Sequence, residues 1–220
     1  MGIGVAAAAY GLYAGVTWFR YGHASRSSHE DEDQLLDRFM PAYEVVERHH
    51  IRVAAPAEST FAAACQTSLL SSPTSRAIFR AREVILGSTP DTAGRPRGVL
   101  ELTKSIGWGV LAEVPGREVV MGAVTQPWEA NVTFRALPPD DFAAFNEPGY
   151  VKIVWTLRAD PITVAESVFR TETRVIATDA WARRKFRRYW SLLSPGIIII
   201  RAVMLQPVKR EAERRARAGV

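Results

Sequence analysis

The chain has 220 residues, 47% hydrophobic and 23% charged, which are the proportions of a globular protein and not of a disordered or fibrous one. Its formal charge of +5 is gathered toward the C-terminus, which argues against a uniformly basic nucleic-acid-binding chain. Cys65 is the only cysteine, so no intrachain disulfide can form and a reducing compartment is expected.

Gly2 to Phe19 carries no charge. As a helix that run is roughly 27 Å long, enough to cross a hydrocarbon core. Trp18 and Tyr21 fall where an interfacial aromatic belt would sit, and Arg20, His23 and Arg26 follow them. The expectation is a single-pass transmembrane anchor over residues 1–22, with the positive-inside rule placing the rest of the chain in the cytoplasm. Ala7, Gly11 and Gly15 form a stripe of small residues suited to pairing two such helices. Residues 23–40 are expected to be a flexible linker, because Ser25 to Asp37 is polar and acidic with no apolar period before Leu35. His29 lies beside carboxylates there, without the spacing of a metal site.

The folded domain is expected over residues 41–216. Tyr43 to Ala54 is rich in β-branched residues and reads as a first strand. Pro56 opens a helix reaching about Leu70. Ser72-Pro73 opens a second that ends before Gly87, with Ala77, Ile78, Ala81, Val84 and Ile85 at helical spacing. Ser88 to Pro96 reads as a loop, and Gly98 to Ile106 as a short third helix. Cys65, in an alanine-rich run, reads as a small buried hydrophobe.

From Trp108 the period changes to two. Val110 to Val114 and Glu118 to Thr125, joined by Pro115-Gly116, predict a hairpin. Trp128 to Leu137 reads as another strand. Pro138 to Phe145 is an insertion with one helical turn capped by Asp140. Tyr150 to Ala159 and Ser167 to Ala177 are two strong strands, and Asp179 caps a long amphipathic helix reaching Arg215. Ser194-Pro195-Gly196 is expected to break or kink that helix, with Ile197 to Leu205 resuming it as an apolar run.

A strand, two helices, an antiparallel meander and a long C-terminal helix make an α+β order that resembles the START-like or Bet v 1-like helix-grip superfamily, the SRPBCC proteins of polyketide cyclase/dehydrase type. The closing run Phe169-Arg-Thr-Glu-Thr-Arg-Val, then Phe186-Arg-Arg-Tyr-Trp190, Ser194-Pro-Gly196 and Ile200-Arg201, is similar to uncharacterised bacterial members. The resemblance covers roughly Tyr43 to Arg215 and implies a curved antiparallel sheet wrapped around the last helix, with a cavity between them. Six strands are counted where that superfamily has seven. It includes lipid carriers, hormone receptors, cyclases and quinone-binding proteins, so it implies a fold more sharply than an activity.

On that fold the strand faces acquire meaning. Val151, Ile153, Trp155 and Leu157 share one side of their strand, and Phe169, Thr171, Thr173 and Val175 share one side of the next. If these sides face the last helix, Met121, Phe134, Trp155, Phe169 and Thr171 line the pocket, with Tyr189 and Trp190 entering from the helix. Arg170, Glu172 and Arg174 then lie on the other face as solvated ion pairs with Lys152 and Arg158; a register slip of one residue would turn them inward as an anchor for an anionic head group.

The expected partner is a hydrophobic small molecule or lipid, with the membrane as a second partner through the N-terminal helix and the basic run Arg183-Arg-Lys-Phe-Arg-Arg188. No nucleic acid, metal or other cofactor is expected. No phosphate loop, nucleophile elbow or zinc spacing is present. His50 with Glu113 is the one acid–base pairing that an alternative cyclase or hydratase reading would use. A non-catalytic interaction module with a filled core is the third reading. Asn131-Val-Thr133 matches a glycosylation sequon that has no meaning on a cytoplasmic strand.

Overall fold

The computed structural model describes residues 2–24, 32–68, 77, 78, 80 and 98–219. In chain order the elements are α1 (Gly2–Arg20), α2 (Gln34–Asp37), β1 (Val45–Val53), α3 (Ala57–Gln66) and α4 (Val99–Ser105). There follow β2 (Gly109–Val114), β3 (Glu118–Thr125), β4 (Phe134–Arg135), α5 (Pro139–Ala144), β5 (Val151–Pro161), β6 (Ser167–Ala177) and α6 (Ala180–Ala218). The second predicted helix and the loop to Pro96 lie outside the described residues, apart from helical positions at 77, 78 and 80.

The alternating strands pair antiparallel into one six-stranded curved sheet of order β1-β6-β5-β3-β2, with β4 added beside β3. The strand predicted over Trp128 to Leu137 shrinks to Phe134–Arg135, because a turn in which the Glu129 amide bonds the Gln126 carbonyl takes up its start. Gly107 ends α4 with φ +102°, where a Cβ would meet the Phe134 carbonyl oxygen at 2.3 Å, so only glycine fits that left-handed crossing.

Helix α6 has 39 residues and is roughly 58 Å long. Asp179 caps it as expected, accepting the Ala182 amide at 2.6 Å. At the insertion, by contrast, Pro138 and not Asp140 holds the cap position of α5. Of the break or kink expected at Pro195, the break does not occur: α6 runs unbroken through Pro195 and Pro207. Its sheet-facing residues explain this, since Phe186 and Trp190 are packed before Pro195 and Met204, Val208 and Ala212 after it. Burial on both sides offsets the one backbone hydrogen bond each proline removes.

The sheet grips α6 on its concave face. Val53, Met121, Trp155, Leu157 and Phe169 pack with Met204 and Val208 in one core, while Val45, Val151, Val175 and Ala177 pack with Ala182, Phe186 and Trp190 in a second. Among the described residues α6 is also the one helix long and apolar enough to cross a membrane, though 22% of that stretch is buried in the domain. Length and composition alone select it, and a gripped core helix passes the same test.

The convex face is covered as well. Leu36, Phe39, Met40 and Phe142 cap Val120, Val124 and Val154 there. Residues 32–40, expected as the end of a free linker, are therefore part of the folded unit; residues 25–31, including His29, lie outside the described residues. This cover buries Glu172 and Arg174 of the charged row expected to be solvated, while Arg170 stays part-exposed and pairs with Asp160 at 3.2 Å. Arg174 is 1% exposed and donates to Glu172 at 2.7 Å, to Asp37 at 2.5 Å and to the Met40 carbonyl at 2.8 Å. Glu172 also pairs with Arg48 at 3.0 Å, and the Arg174 guanidinium lies over the Tyr43 ring at 4.7 Å. Lys152 turns away from this network, bonding the Ala143 carbonyl at 2.9 Å above the Phe142 ring.

Helix α1 docks along α6. Arg187 donates to the Trp18 carbonyl at 2.8 Å and lies 4.3 Å over its indole. Tyr13 bonds Ser194 at 3.0 Å and Tyr10 donates to the Leu192 carbonyl. Gly11 and Gly15 face open space.

At one edge of the convex cover Glu118 and Asp33 form a buried carboxyl pair beside Arg158. Burial first, and then the Asp33 charge and hydrogen bond, push the Glu118 carboxyl up to about 8. The folded chain therefore holds this proton across a window, from the ordinary 4.5 to about 8, in which the unfolded chain has released it, so stability falls as pH rises through it. Glu118→Gln, which keeps a neutral donor toward Asp33, is expected to stabilise the fold by on the order of 1–3 kcal/mol at pH 8 and by little at about pH 4.5. Chemical denaturation of both proteins at the two pH values measures the difference.

Candidate functional site

Strand register decides which side chains meet α6. Met121 stands opposite Trp155, Trp155 opposite Thr173, and Thr173 opposite Glu47, so these four form one row across β3, β5, β6 and β1. On the same face His49 stands opposite Thr171 and Ile51 opposite Phe169. The concave surface thus grades from apolar on β3 and β5 to polar on β6 and β1.

Arg201 meets the polar end of that row. The α6 stripe facing the sheet recurs at Phe186, Trp190, Ser194, Ile197, Arg201, Met204 and Val208, and Arg201 is the one charge within it. Its guanidinium donates to Thr171 at 3.3 Å and lies 5.3 Å over the Trp155 ring. Part of the side chain stays accessible. The charged end is nonetheless desolvated enough to lower its pKa to about 10, with the Glu47 charge pulling the other way.

The neighbours respond to the same burial. Desolvation raises the Glu47 carboxyl, with Arg201 opposing it. Desolvation lowers the His49 imidazole, and the charges of Arg201 and His50 lower it further. Among the described residues His49 Nε2 and Thr173 Oγ1 are buried without hydrogen-bond partners. A buried polar atom without a partner costs about 1–3 kcal/mol.

Of the residues expected to line a pocket, Met121, Trp155, Phe169 and Thr171 come together on this face, all buried. Phe134 joins them through Trp108, whose ring lies 5.1 Å from Phe134 and 6.4 Å from Trp155. Tyr189 and Trp190 do not join. They stack on Phe186 at 5.8 and 5.9 Å in the second core, nearer the start of α6. The sequence reading missed Glu47, Trp108 and Arg201. The signal for Arg201 was its place four residues after Ile197 and three before Met204 in the apolar stripe.

His50 and Glu113 are not brought together. They lie on β1 and β2, the opposite edges of the sheet, and His50 points to the convex side. A hollow of about 20 Å³ on that side, lined by Arg48, His50, Arg158, Arg170 and Glu172 among others, has room for a water molecule and no more. Cys65 is partly buried with its thiol pushed up to about 11 by desolvation, which makes it a poor nucleophile. Among the described residues no group of histidine, cysteine and carboxylate side chains is arranged to hold a metal ion.

No family model matches the sequence, and no curated protein matches it either. Solved structures do align. A conserved protein from Geobacillus kaustophilus is 12% identical, with 78% of this chain and 97% of that one covered at a TM-score of 0.31. Norcoclaurine synthase from Thalictrum flavum, in complex with dopamine and hydroxybenzaldehyde, is 12% identical, with 84% and 95% covered at 0.33. The Zhui aromatase/cyclase from Streptomyces sp. R1128 is 14% identical, with 80% and 97% covered at 0.25. The strand order and the gripped C-terminal helix described above make the fold a helix-grip.

The His49 environment has a direct readout. Its imidazole is expected to titrate with a midpoint below the ordinary 6.5. A pH series of histidine side-chain NMR spectra, with His49→Gln to assign the signal, checks it.

Proposed function

We propose that the domain binds an apolar small molecule or lipid between its sheet and α6. The observation that supports this most is the graded concave row: an aromatic floor of Trp108, Trp155 and Phe169 passes into Thr171, Thr173, His49 and Arg201. An apolar body on the floor would leave its polar end facing the guanidinium. Residues 41–216 together with the 32–40 cover would make up the binding unit, with Met121, Phe134, Trp155, Phe169 and Thr171 lining the site. Tyr189 and Trp190 would support it from the second core. A cyclase or hydratase in the same site would have to draw on Glu47 and His49, the titratable pair on the helix-facing side of β1.

Native mass spectrometry of the full chain, released from amphipol in the spectrometer, tests the reading. One apolar molecule per chain is expected to co-purify, with Trp155→Ala lowering its occupancy about fivefold or more. A chain that is empty and takes up no N-phenyl-1-naphthylamine, a neutral apolar dye, would sink it.

A membrane tether has separate support. Leu12 is 71% and Phe19 76% exposed on α1, with Val16, Leu192 and Ile199 exposed nearby, and Arg184, Lys185 and Arg188 are exposed on α6. We infer that α1 anchors the domain in a membrane, the domain lying on the cytoplasmic side with its basic face toward anionic lipid. The full chain should float with vesicles containing phosphatidylglycerol, and a Leu12→Glu, Phe19→Glu double variant should remain in the lower fractions. Equal flotation of the two would remove α1 from the role.

A further inference from the structure

We infer that the ligand is an amphiphile with a single carboxylate, and that Arg201 of α6 recognises that group. The inference rests on the binding reading above and adds the chemistry of the head group.

Three observations carry it. First, Arg201 lies in the sheet-facing stripe of α6 and, among the described residues, makes one hydrogen bond, the 3.3 Å contact to Thr171. A guanidinium has five donor hydrogens in a planar fork, so most of its capacity is unused at a place where leucine or isoleucine would pack. Second, the surrounding side chains present further unused polarity: Thr173 Oγ1 and His49 Nε2 are buried without partners among the described residues, on the face Arg201 approaches. A carboxylate seated on the fork accepts two parallel N–H bonds from Arg201, and its outer lone pairs face Thr173 and His49. Third, Trp155 lies under the guanidinium at 5.3 Å and continues toward Trp108 and Phe134. An apolar tail attached to the carboxylate would run along that aromatic floor.

The charge balance favours one negative charge over two. Glu47 is the acidic group facing Arg201 from β1, and it acts on Arg201 at long range, with no ion pair between them. Among the described residues the titratable and charged groups around the head-group position are Arg201, Glu47 and His49, with the His50 charge adding to that of Arg201 at His49. One guanidinium shared with one nearby carboxyl cannot compensate a dianionic phosphate, whereas it can hold a monoanion.

Displacement of N-phenyl-1-naphthylamine from the full chain in amphipol, with empty amphipol subtracted, tests this. Dodecanoate is expected to displace the dye at about tenfold lower concentration than dodecanol, the same chain with a neutral head, and below dodecyl phosphate. Arg201→Gln should abolish that preference, Arg201→Lys should keep part of it, and Glu47→Gln should enlarge it by removing the opposing charge. Circular dichroism melts confirm that each variant is folded, and the wild-type comparison needs no variant at all. If the dye binds but the two heads displace it equally, or if Arg201→Gln keeps the preference, the carboxylate assignment is overturned while the binding reading stands. Tighter displacement by dodecyl phosphate also overturns it. If the dye does not bind wild-type protein, the binding reading fails first and takes this inference with it.

Discussion

A strand covered on both faces has to give every polar side chain a partner or leave it at a cost, and β6 meets that constraint differently on its two sides. On the convex side Glu172 and Arg174 are buried among Arg48, Asp37, Tyr43 and the Met40 carbonyl, so each charge is met by hydrogen bonds at 2.5–3.0 Å. On the concave side, among the described residues, Thr173 finds no partner and Thr171 has one long contact to an arginine from the opposing helix. The first arrangement is closed. The second has bonding capacity left over, and that difference separates scaffold from site.

The closed network also explains why the chain before β1 belongs to the domain. A carboxylate and an arginine buried on a sheet face are stable only when further hydrogen bonds satisfy them, since the desolvation of each ion costs several kcal/mol. Asp37 and the Met40 carbonyl supply those bonds to Arg174, and the apolar side chains Leu36 and Phe39 seal the layer. The segment is not an accessory laid over a finished sheet. Without it, Arg174 and Glu172 would face a surface that neither repels water nor replaces it.

Much of this was legible in the residues. The alternation in β5 and β6 put Trp155, Phe169 and Thr171 on one face, and the register agrees because the strands pair in phase. The Asp179 cap and the Pro115-Gly116 turn were local signals that tertiary packing had no reason to override. What stayed hidden depended on partners distant in sequence. Residues 32–40 looked like the end of a tether because one short turn with Leu36, Phe39 and Met40 carries no periodicity; its order comes from Arg174, more than a hundred residues away. Tyr189 and Trp190 had the right helical face but the wrong height along α6, and sequence gives direction around a helix better than position along a sheet. Arg201 was overlooked because an arginine in an apolar run reads first as a boundary.

The continuity of α6 across Pro195 is what places that arginine. A helix advances about 1.5 Å and 100° per residue, so a break between Trp190 and Met204 would free the second half to rotate. Rotation by one position would carry Arg201 off the stripe, away from Thr171 and Trp155, and bring an alanine or isoleucine in its place. The two packed cores prevent this by holding the helix on either side, with Phe186 and Trp190 below and Met204, Val208 and Ala212 above. Tyr13 and Trp18 of α1 add contacts at Ser194, next to the proline, and at Arg187, about two turns before it. The helix is thus fixed just where its own hydrogen bonding is weakest. A lone charge can be held in register with a threonine across the interface because apolar packing on each side of it does the positioning.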